Sequence, residues 1–444
     1  MYNGFVNIFL FYILYSILLY FVFPELIPSR PVVLLEVFLG ICMVGGVIFG
    51  KRLNLRSTLG VMFLFLCIVY LLIRCYFILV YNNPFGYTIF EVDSDTYHDL
   101  GKQIQNMSWR ESLRFLGISY EYDDFGFPLI LGFVYSLFPG ENSGLFLMLL
   151  LNALVVTFTC NLFYKLCRFF FDHQLSKFLV VIWGFSTYIT LISVRGLKEN
   201  FFLLGIIGAL YFMYVFLHKK SVRSLILFFL FACSVLLFRR VVAYMLFLTG
   251  VFGVCYSMHF TRKMMPYVII LGSVFAILSF EMVVNYIGGE AQGFNFVSFF
   301  LQNRLAKHDN IYVTMGINIL SGFIGPIPDI IGPGRKTIFF MYNFSIWLKS
   351  FFSIFYLYGM LRILQNKVIE LFPFLAFILM HTIMLVAVFW TMSMRYQLPM
   401  LPAVMVVAAY GFQEHLKRPI HKWFMRGYFS LVCILIFFFN YRFV

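Results

Sequence analysis

The chain is dominated by uninterrupted apolar runs of about 17–25 residues, the length at which an α-helix crosses the hydrocarbon core of a bilayer. Of its 444 residues, 62% are hydrophobic and only 12% are charged. A soluble domain with this balance would expose large apolar surfaces to water, so the composition excludes the soluble classes. We therefore predict an all-α polytopic membrane protein.

The runs predict about 13 transmembrane helices in a single transmembrane domain over residues 1–444. The predicted spans are 4–24, 32–50, 58–81, 144–170, 176–194, 199–217, 222–238, 241–259, 264–287, 341–364, 368–391, 397–413 and 421–440. A shorter apolar run at 127–138 predicts a re-entrant helix or one that lies in the membrane interface.

The basic residues predict the orientation of these spans. Lysine and arginine concentrate in alternate loops, such as 51–56, 219–223 and 417–422. The positive-inside rule makes this set cytoplasmic, together with the N-terminus. The C-terminus and the two long polar segments, 82–126 and 288–340, are then external. The net charge of +14 belongs to these loops, and we expect no nucleic-acid partner, because no basic patch is interleaved with exposed aromatics.

An acid cluster opens the first external segment, within "TIFEVDSDTYHDLGKQI" (88–104). Its carboxylates are Glu91, Asp93, Asp95 and Asp99. The spacing predicts a surface helix over 94–107, with Tyr97, Leu100, Ile104 and Met107 on its apolar face and Asp95, Asp99 and Lys102 on another face. Asp93 or Ser94 would cap this helix, and its dipole would favour an ionised Asp95. Simple capping or solvation is the alternative role for these acids.

The stretch "SDTYHDLGKQI" resembles the signature of the GT-C superfamily of membrane glycosyltransferases. These polyprenyl-phosphate-sugar-dependent enzymes include protein mannosyltransferases and lipid A aminoarabinose transferases. Three later stretches resemble further elements of the family in the same order: "FGFPLILGFVYSLFPGENS" (125–143), "SVRGLKENFFLL" (193–204) and "MRYQLPMLPAVMVVAAYGF" (394–412). The chain departs from the pattern in one respect, since two additional spans precede the first external acid.

The resemblance implies a GT-C-like fold with external juxtamembrane helices and assigns several roles. Asp95, followed by Tyr97, matches the catalytic acid, with Asp93 as its competitor. Glu199 matches the acid of the second external turn, and Arg395 with Tyr396 matches the element that opens a late helix. Elementary chemistry agrees, because a carboxylate can deprotonate an acceptor hydroxyl and an anionic lipid phosphate needs cations or a metal to leave.

Several further residues are candidate substrate ligands on the same face. Arg195 and Lys198 flank the turn before Glu199, and Arg239 and Arg240 interrupt an apolar stretch where charge is costly. Snorkelling of these long side chains to the headgroups is the alternative. His98 either approaches the site or lies on the surface. A divalent cation such as Mg²⁺ or Mn²⁺ would suit the oxygen ligand Asp95.

These features predict a glycosyltransferase that moves a sugar from a polyprenyl-phosphate donor to an external glycan, lipid or protein acceptor. The expected location is the bacterial inner membrane, among membrane lipids, with the active site on the external (periplasmic) face. An O-antigen or capsule repeat-unit polymerase or ligase shares the many-helix layout and large external loops. A polysaccharide-lipid flippase or transporter is a third class, but its charges should lie in broken helices at mid-membrane.

Overall fold

The described part of the protein consists mainly of α-helices joined by short turns. The computed structural model describes residues 2–22, 30–81, 92–120, 125–138, 141–194, 197–257, 311–327, 343–387 and 394–441, and no strand occurs among them. The all-α prediction is therefore confirmed for this part of the chain. The predicted span 264–287 and the polar stretch 302–310 lie outside the described residues.

The chain divides into two compact units, which are described separately. The first comprises Met1–Tyr214, Leu225–Arg240 and Ile331–Ser345, and the second comprises Val215–Ser224, Val241–Ile330 and Ile346–Val444. The prediction of one transmembrane domain over 1–444 stays a prediction.

The helices that lie wholly or mostly in the first unit follow one another from the N-terminus to residue 236. They are α1 (Tyr2–Val22), α2 (Arg30–Arg52), α3 (Leu55–Tyr81), α4 (Val92–Ile104), α5 (Trp109–Tyr120), α6 (Gly126–Leu137), α7 (Glu141–Cys167), α8 (His173–Gly184), α9 (Thr187–Val194), α10 (Glu199–Lys219) and α11 (Val222–Leu236). Helix α7 packs against α3, α6 and α8, and helix α2 packs against α1 and α8. Helix α7 is therefore the element around which this unit is organised.

Five helices of the described part of the chain are long and apolar enough to cross a membrane. Their apolar windows are Leu55–Leu72, Leu147–Cys167, Glu199–Lys219, Phe344–Asn366 and Ile369–Val386. A sixth span results if the bent pair α8 and α9 is counted as one. These helices are compatible with an integral membrane protein.

The predicted span 176–194 is wrong as a single helix. It is divided into α8 and α9, whose axes differ by 51°. The break follows Gly184, where an added Cβ would lie 2.2 Å from the sulfur of Met62 and 2.9 Å from that of Cys160. Close packing against neighbouring helices, rather than a proline, accompanies this bend.

The predicted surface helix is present as α4. It begins two residues earlier than predicted and ends three residues earlier than predicted. Its apolar face is buried as predicted at Tyr97, Leu100 and Ile104, whereas Met107 lies beyond the helix and is exposed. Helix α4 packs along α6. Leu100 and Ile104 form a small core with Leu129 of α6 and with α5. This core holds the acid-bearing helix on the rest of the unit.

A capping box starts helix α5. The backbone N–H of Ser108 donates to Oε2 of Glu111 at 2.9 Å, and the backbone N–H of Glu111 donates to Oγ of Ser108 at 3.4 Å. This reciprocal pair satisfies two donors that the first turn of a helix otherwise leaves open. Hydrogen bonds to the Glu111 carboxylate from the side chain and from the backbone of Ser108 lower the pKa of Glu111 below its ordinary value.

The second unit contains the remaining described helices. They are α12 (Arg240–Ser257), α13 (Ile311–Phe323), α14 (Asn343–Asn366), α15 (Phe372–Ala387), α16 (Met394–Gln397), α17 (Leu401–Lys417) and α18 (Lys422–Tyr441), with short 3₁₀ turns at Ile369–Leu371 and Leu398–Met400. Helix α15 packs against α13 and α17. The predicted external segment 288–340 therefore includes an apolar helix, α13, that is packed onto a candidate membrane span.

Helices α14 and α17 cross with their backbones in contact. A Cβ added at Gly359 would lie 2.2 Å from the carbonyl oxygen of Val407, and one added at Gly411 would lie 2.0 Å from that of Phe355. Small residues at helix crossings are typical of membrane proteins, where close packing replaces the hydrophobic driving force.

Candidate functional site

Two carboxylates of the acid cluster lie in the first turn of α4. The predicted cap at Asp93 or Ser94 is wrong, because the helix already begins at Val92. Asp93 and Asp95 therefore sit inside the helix, where its dipole favours ionised carboxylates. Their side chains and all of Glu91 lie outside the described residues, whereas Asp99, one turn beyond Asp95, is exposed.

His98 is buried, which contradicts the alternative that it lies on the surface and leaves its role as a substrate ligand a prediction. Its Nδ1 lies 2.6 Å from Oη of Tyr135 on α6, and the two rings meet edge to face at 5.4 Å between centroids. This pair fixes the rotation of α4 against α6. The neighbouring Tyr97 ring makes a similar edge contact with Phe127 of α6, at 5.5 Å.

The turn before α10 meets α4 through Lys198. Its Nζ lies 5.6 Å from the centroid of the Tyr97 ring, within the range of a cation–π contact. Lys198 is only 1% exposed, which does not fit a side chain snorkelling to the headgroups. Two segments separated by about a hundred residues, "SDTYHDL" and "RGLKEN", are thus brought together. Arg195, at the start of that turn, lies outside the described residues.

Glu199 is the first residue of α10, as predicted, and its side chain is fully buried. Asn200, the next residue, organises the turn. Its Nδ2 donates to Oδ1 of Asn152 on α7 and to Oγ of Ser193 on α9, both at 3.1 Å. This amide therefore ties three helices together directly beside Lys198 and Glu199. The sequence analysis did not identify Asn152 or Asn200, although a polar amide inside the apolar run 144–170 is the signal that marks such a residue.

Arg239 and Arg240 lie at the short break between α11 and α12, close to the gap between the predicted spans 222–238 and 241–259. The guanidinium carbon of Arg239 lies 5.6 Å from the centroid of Phe202 on α10. The turn is also anchored to α6, because the backbone N–H of Gly126 donates to the carbonyl oxygen of Leu237 at 2.8 Å. Arg239 and Arg240 are both half-buried.

A series of aromatic rings runs from Tyr97, which Lys198 contacts, through Phe127 and Phe201 to Phe238. Phe201 lies 5.7 Å from Phe127 and 6.2 Å from Phe238, measured between ring centroids. Lys198 contacts Tyr97 at one end of this series, whereas Arg239 contacts Phe202, the residue that follows Phe201 in α10. We call the set Tyr97, Phe127, Lys198, Phe201 and Arg239 the cation–aromatic site.

The cation–aromatic site combines two kinds of group, cations and aromatic rings. Ammonium and guanidinium groups in a largely water-excluded place interact strongly with anions such as a phosphate. Of the aromatic rings, Tyr97 and Phe127 are buried among the helices and Phe201 is half-buried. Acidic residues occur in the first turn of both adjoining helices, α4 and α10.

Arg395 and Tyr396 belong to the second unit and lie in the short helix α16. Both are half-buried, and a 3₁₀ turn leads from α16 into α17. The predicted late span 397–413 is therefore preceded by an extra helical turn that carries both residues. Lys349 of α14, which the sequence analysis did not identify, reaches the same turn through Gln397.

No group of three or more His, Cys, Asp or Glu side chains lies close enough to hold a metal ion among the described residues. The side chains of Asp93 and Asp95 are not among them. The predicted Mg²⁺ or Mn²⁺ ligand Asp95 stays a prediction.

The chain was compared with protein-family models, with curated proteins and with solved structures. None of the three comparisons gives a match.

Proposed function

We propose that this protein is an integral-membrane glycosyltransferase of the GT-C type. It transfers a sugar from a polyprenyl-phosphate donor to a glycan, lipid or protein acceptor. The proposal includes about 13 membrane helices, a cytoplasmic N-terminus and a site on the external face of the bacterial inner membrane. One observation supports it most: Lys198 of "RGLKEN" packs over Tyr97 of "SDTYHDL". The two segments that resemble this family therefore adjoin.

The proposed reaction is a displacement at the anomeric carbon of the sugar. A carboxylate of α4, assigned to Asp95 with Asp93 as the alternative, takes the proton of the acceptor hydroxyl. The acceptor oxygen forms a bond to the anomeric carbon while the bond from that carbon to the phosphate oxygen breaks. The electron pair leaves with the polyprenyl phosphate, whose charge Lys198 and Arg239 stabilise.

Glu199 has a supporting role in this proposal. It begins α10 next to Lys198, and its burial suits a carboxylate that acts on bound groups rather than on solvent. We assign it to orienting the acceptor or the basic residues around the phosphate. A divalent cation at Asp95 would contribute positive charge to this phosphate. In the second unit, Arg395 is separately proposed to bind the donor phosphate and Tyr396 to bind substrate.

The test compares three isosteric variants of the acid cluster: Asp95→Asn, Asp93→Asn and Asp99→Asn. Wild type in proteoliposomes is first screened with radiolabelled polyprenyl-phosphate mannose, glucose and aminoarabinose, by measuring release of the free lipid phosphate. With a donor found, Asp95→Asn should lower transfer by about 100- to 10,000-fold, the usual value of general-base catalysis. The exposed Asp99 is the matched control, and Asp99→Asn should transfer normally.

Two outcomes contradict this assignment in different ways. If Asp93→Asn loses activity while Asp95→Asn transfers sugar at a near-normal rate, the general base is Asp93 and not Asp95. Normal transfer by all three variants removes the acid cluster from the chemistry. Transfer of whole oligosaccharide repeats, with single sugars refused, would favour the polymerase or ligase class instead.

The proposed orientation is tested separately from the chemistry. Ser119→Cys and Asp309→Cys, each in a cysteine-free background, mark the two predicted external segments. Both should react with a membrane-impermeant maleimide in spheroplasts. Reaction of either one only after lysis would contradict the external site.

A further inference from the structure

Lys349 places a basic side chain inside an apolar helix. It is the seventh residue of α14, and the window Phe344–Asn366 is a candidate membrane span. An ammonium group at such a position is costly unless polar atoms surround it, and residues of this kind commonly have a function.

The ammonium of Lys349 joins three segments of the second unit. Its Nζ donates to the carbonyl oxygen of Gly325, which follows α13, at 2.5 Å. It also donates to Oε1 of Gln397, the last residue of α16. Hydrogen bonds from an ionised donor are about twice as strong as those between neutral groups. A single side chain thus connects α14 to the end of α13 and to α16.

Neighbouring hydrogen bonds reinforce the same junction. Nε2 of Gln397 donates to the carbonyl oxygen of Ser321 at 2.9 Å, and Oγ of Ser350 donates to that of Pro326 at 3.3 Å. Gln397 and Ser321 are fully buried. Both ends of the Gln397 amide are therefore held, which fixes the turn at which α16 ends.

Arg395 and Tyr396 directly precede Gln397 in this four-residue helix. Because Gln397 is held at both ends of its amide, the backbone on which Arg395 and Tyr396 are mounted is held as well. We propose that Lys349 is a positioning residue that fixes the turn carrying Arg395 and Tyr396. The functional part of this inference rests on the proposed role of Arg395 in binding the donor phosphate.

The chemistry of lysine suits this position. Its ammonium is compact and has three donors on a flexible stem, so it can serve oxygen atoms from separate segments. Methionine has similar length and flexibility but no donor. Lys349→Met therefore removes the hydrogen bonds while it keeps most of the packing, and Lys349→Arg keeps a cationic donor.

The first experiment measures the turn itself and needs no substrate. Tyr396→Cys is made in a cysteine-free background, and the rate at which a maleimide modifies this cysteine in detergent measures the exposure of the turn. Adding Lys349→Met should raise this rate by about tenfold or more, because a charge-assisted hydrogen bond no longer opposes local opening. Gln397→Leu should raise it similarly, and the two changes together should add little to either alone.

The matched control lies one turn further along α14. Ser353→Ala removes the hydrogen bond between Oγ of Ser353 and Oη of Tyr428 on α18, which does not involve α16. It should leave the modification rate within about twofold of the parent, since it perturbs the helix but not the junction. Equal rates in the Lys349→Met variant and its parent would overturn the inference.

The second experiment measures transfer with the labelled donor that the wild type accepts. Lys349→Met, with Tyr396 intact, should raise the KM for the donor while kcat changes little, because uniform binding is lost. Lys349→Arg should restore most of the donor affinity. A fall in kcat at unchanged KM would overturn a role that acts through Arg395.

The two experiments separate this inference from the proposed function. Faster modification of the Lys349→Met variant with no transfer by any wild-type preparation would support the positioning of the turn and contradict the glycosyltransferase. Normal transfer by the wild type, together with an unchanged modification rate in the Lys349→Met variant, would support the glycosyltransferase and contradict the positioning of the turn.

Discussion

The crossing of α14 and α17 predicts an unusual cost for adding one methyl group. Gly411→Ala would place a Cβ 2.0 Å from the carbonyl oxygen of Phe355 and 2.7 Å from the backbone nitrogen of Gly359. Both obstacles are backbone atoms, which cannot rotate away as a side chain can. The local gap has to open by roughly 1.4 Å to reach ordinary contact.

Two opposing effects determine how much Gly411→Ala changes the free energy of unfolding. Overpacking a tight contact costs about 1–3 kcal/mol, and the upper end applies here because whole helices must move. Replacing a helical glycine by alanine returns about 1 kcal/mol of helix propensity. Gly411→Ala should therefore lower the free energy of unfolding by about 2 kcal/mol. Gly359→Ala meets the oxygen of Val407 and should behave alike.

The chain offers its own controls for this experiment. Among the described residues, no atom lies within 4 Å of a Cβ added at Gly316 of α13 or at Gly427 of α18. Alanine at either position should stabilise by about 0.5–1 kcal/mol, because only the propensity term remains. Unfolding is followed by tryptophan fluorescence during titration of dodecyl-maltoside micelles with sodium dodecyl sulfate. Gly411→Ala as stable as the wild type, or more stable, would refute the backbone contact.

Two further predictions concern the first unit. Asn200→Leu should destabilise by about 1 kcal/mol, because the buried amide of Asn152 loses its partner, and adding Asn152→Leu should recover part of that loss when the same titration is applied. The lowered pKa of Glu111 means that its ionised form stabilises the start of α5. That stability is complete above the ordinary pKa of 4.5 and is lost as the pH falls through the lowered value. Amide exchange of residues 109–112 should therefore accelerate, relative to the chemical rate, only below about pH 4.5. A Glu111→Gln variant should lack this transition, and an identical transition in it would contradict the capping box.

The apolar runs were sufficient to predict most helices, because each run must satisfy its own backbone hydrogen bonds in a membrane. The prediction over 199–217 matches α10, for example, to within two residues at its C-terminal end. The bend between α8 and α9 was missed for a physical reason. It accompanies the packing of Gly184 against Met62 and Cys160, and such contacts are not local in sequence.

In the candidate site, too, features that depend on one segment could be predicted, whereas contacts between distant segments could not. The burial of Tyr97 followed from helical spacing, which one segment contains in full. The contact of Lys198 with that ring joins residues about a hundred positions apart and was not predicted, although both segments were assigned to the same external face. The hydrogen bond between Lys349 and Gln397 was not predicted at all. A lysine inside a predicted span does, however, indicate that its side chain has a buried polar partner.

The hydrogen bond between Gly126 and Leu237 has a consequence for biosynthesis. A ribosome that adds about 5–20 residues per second makes Leu237 about 5–20 s after Gly126. Early in that interval α4 and α6 can pair with each other before the start of α10 has been made, and the α11–α12 turn is completed only at its end. Arrest of synthesis between residues 138 and 197 should therefore leave the acid-bearing helix accessible to protease, and release of the arrest should protect it.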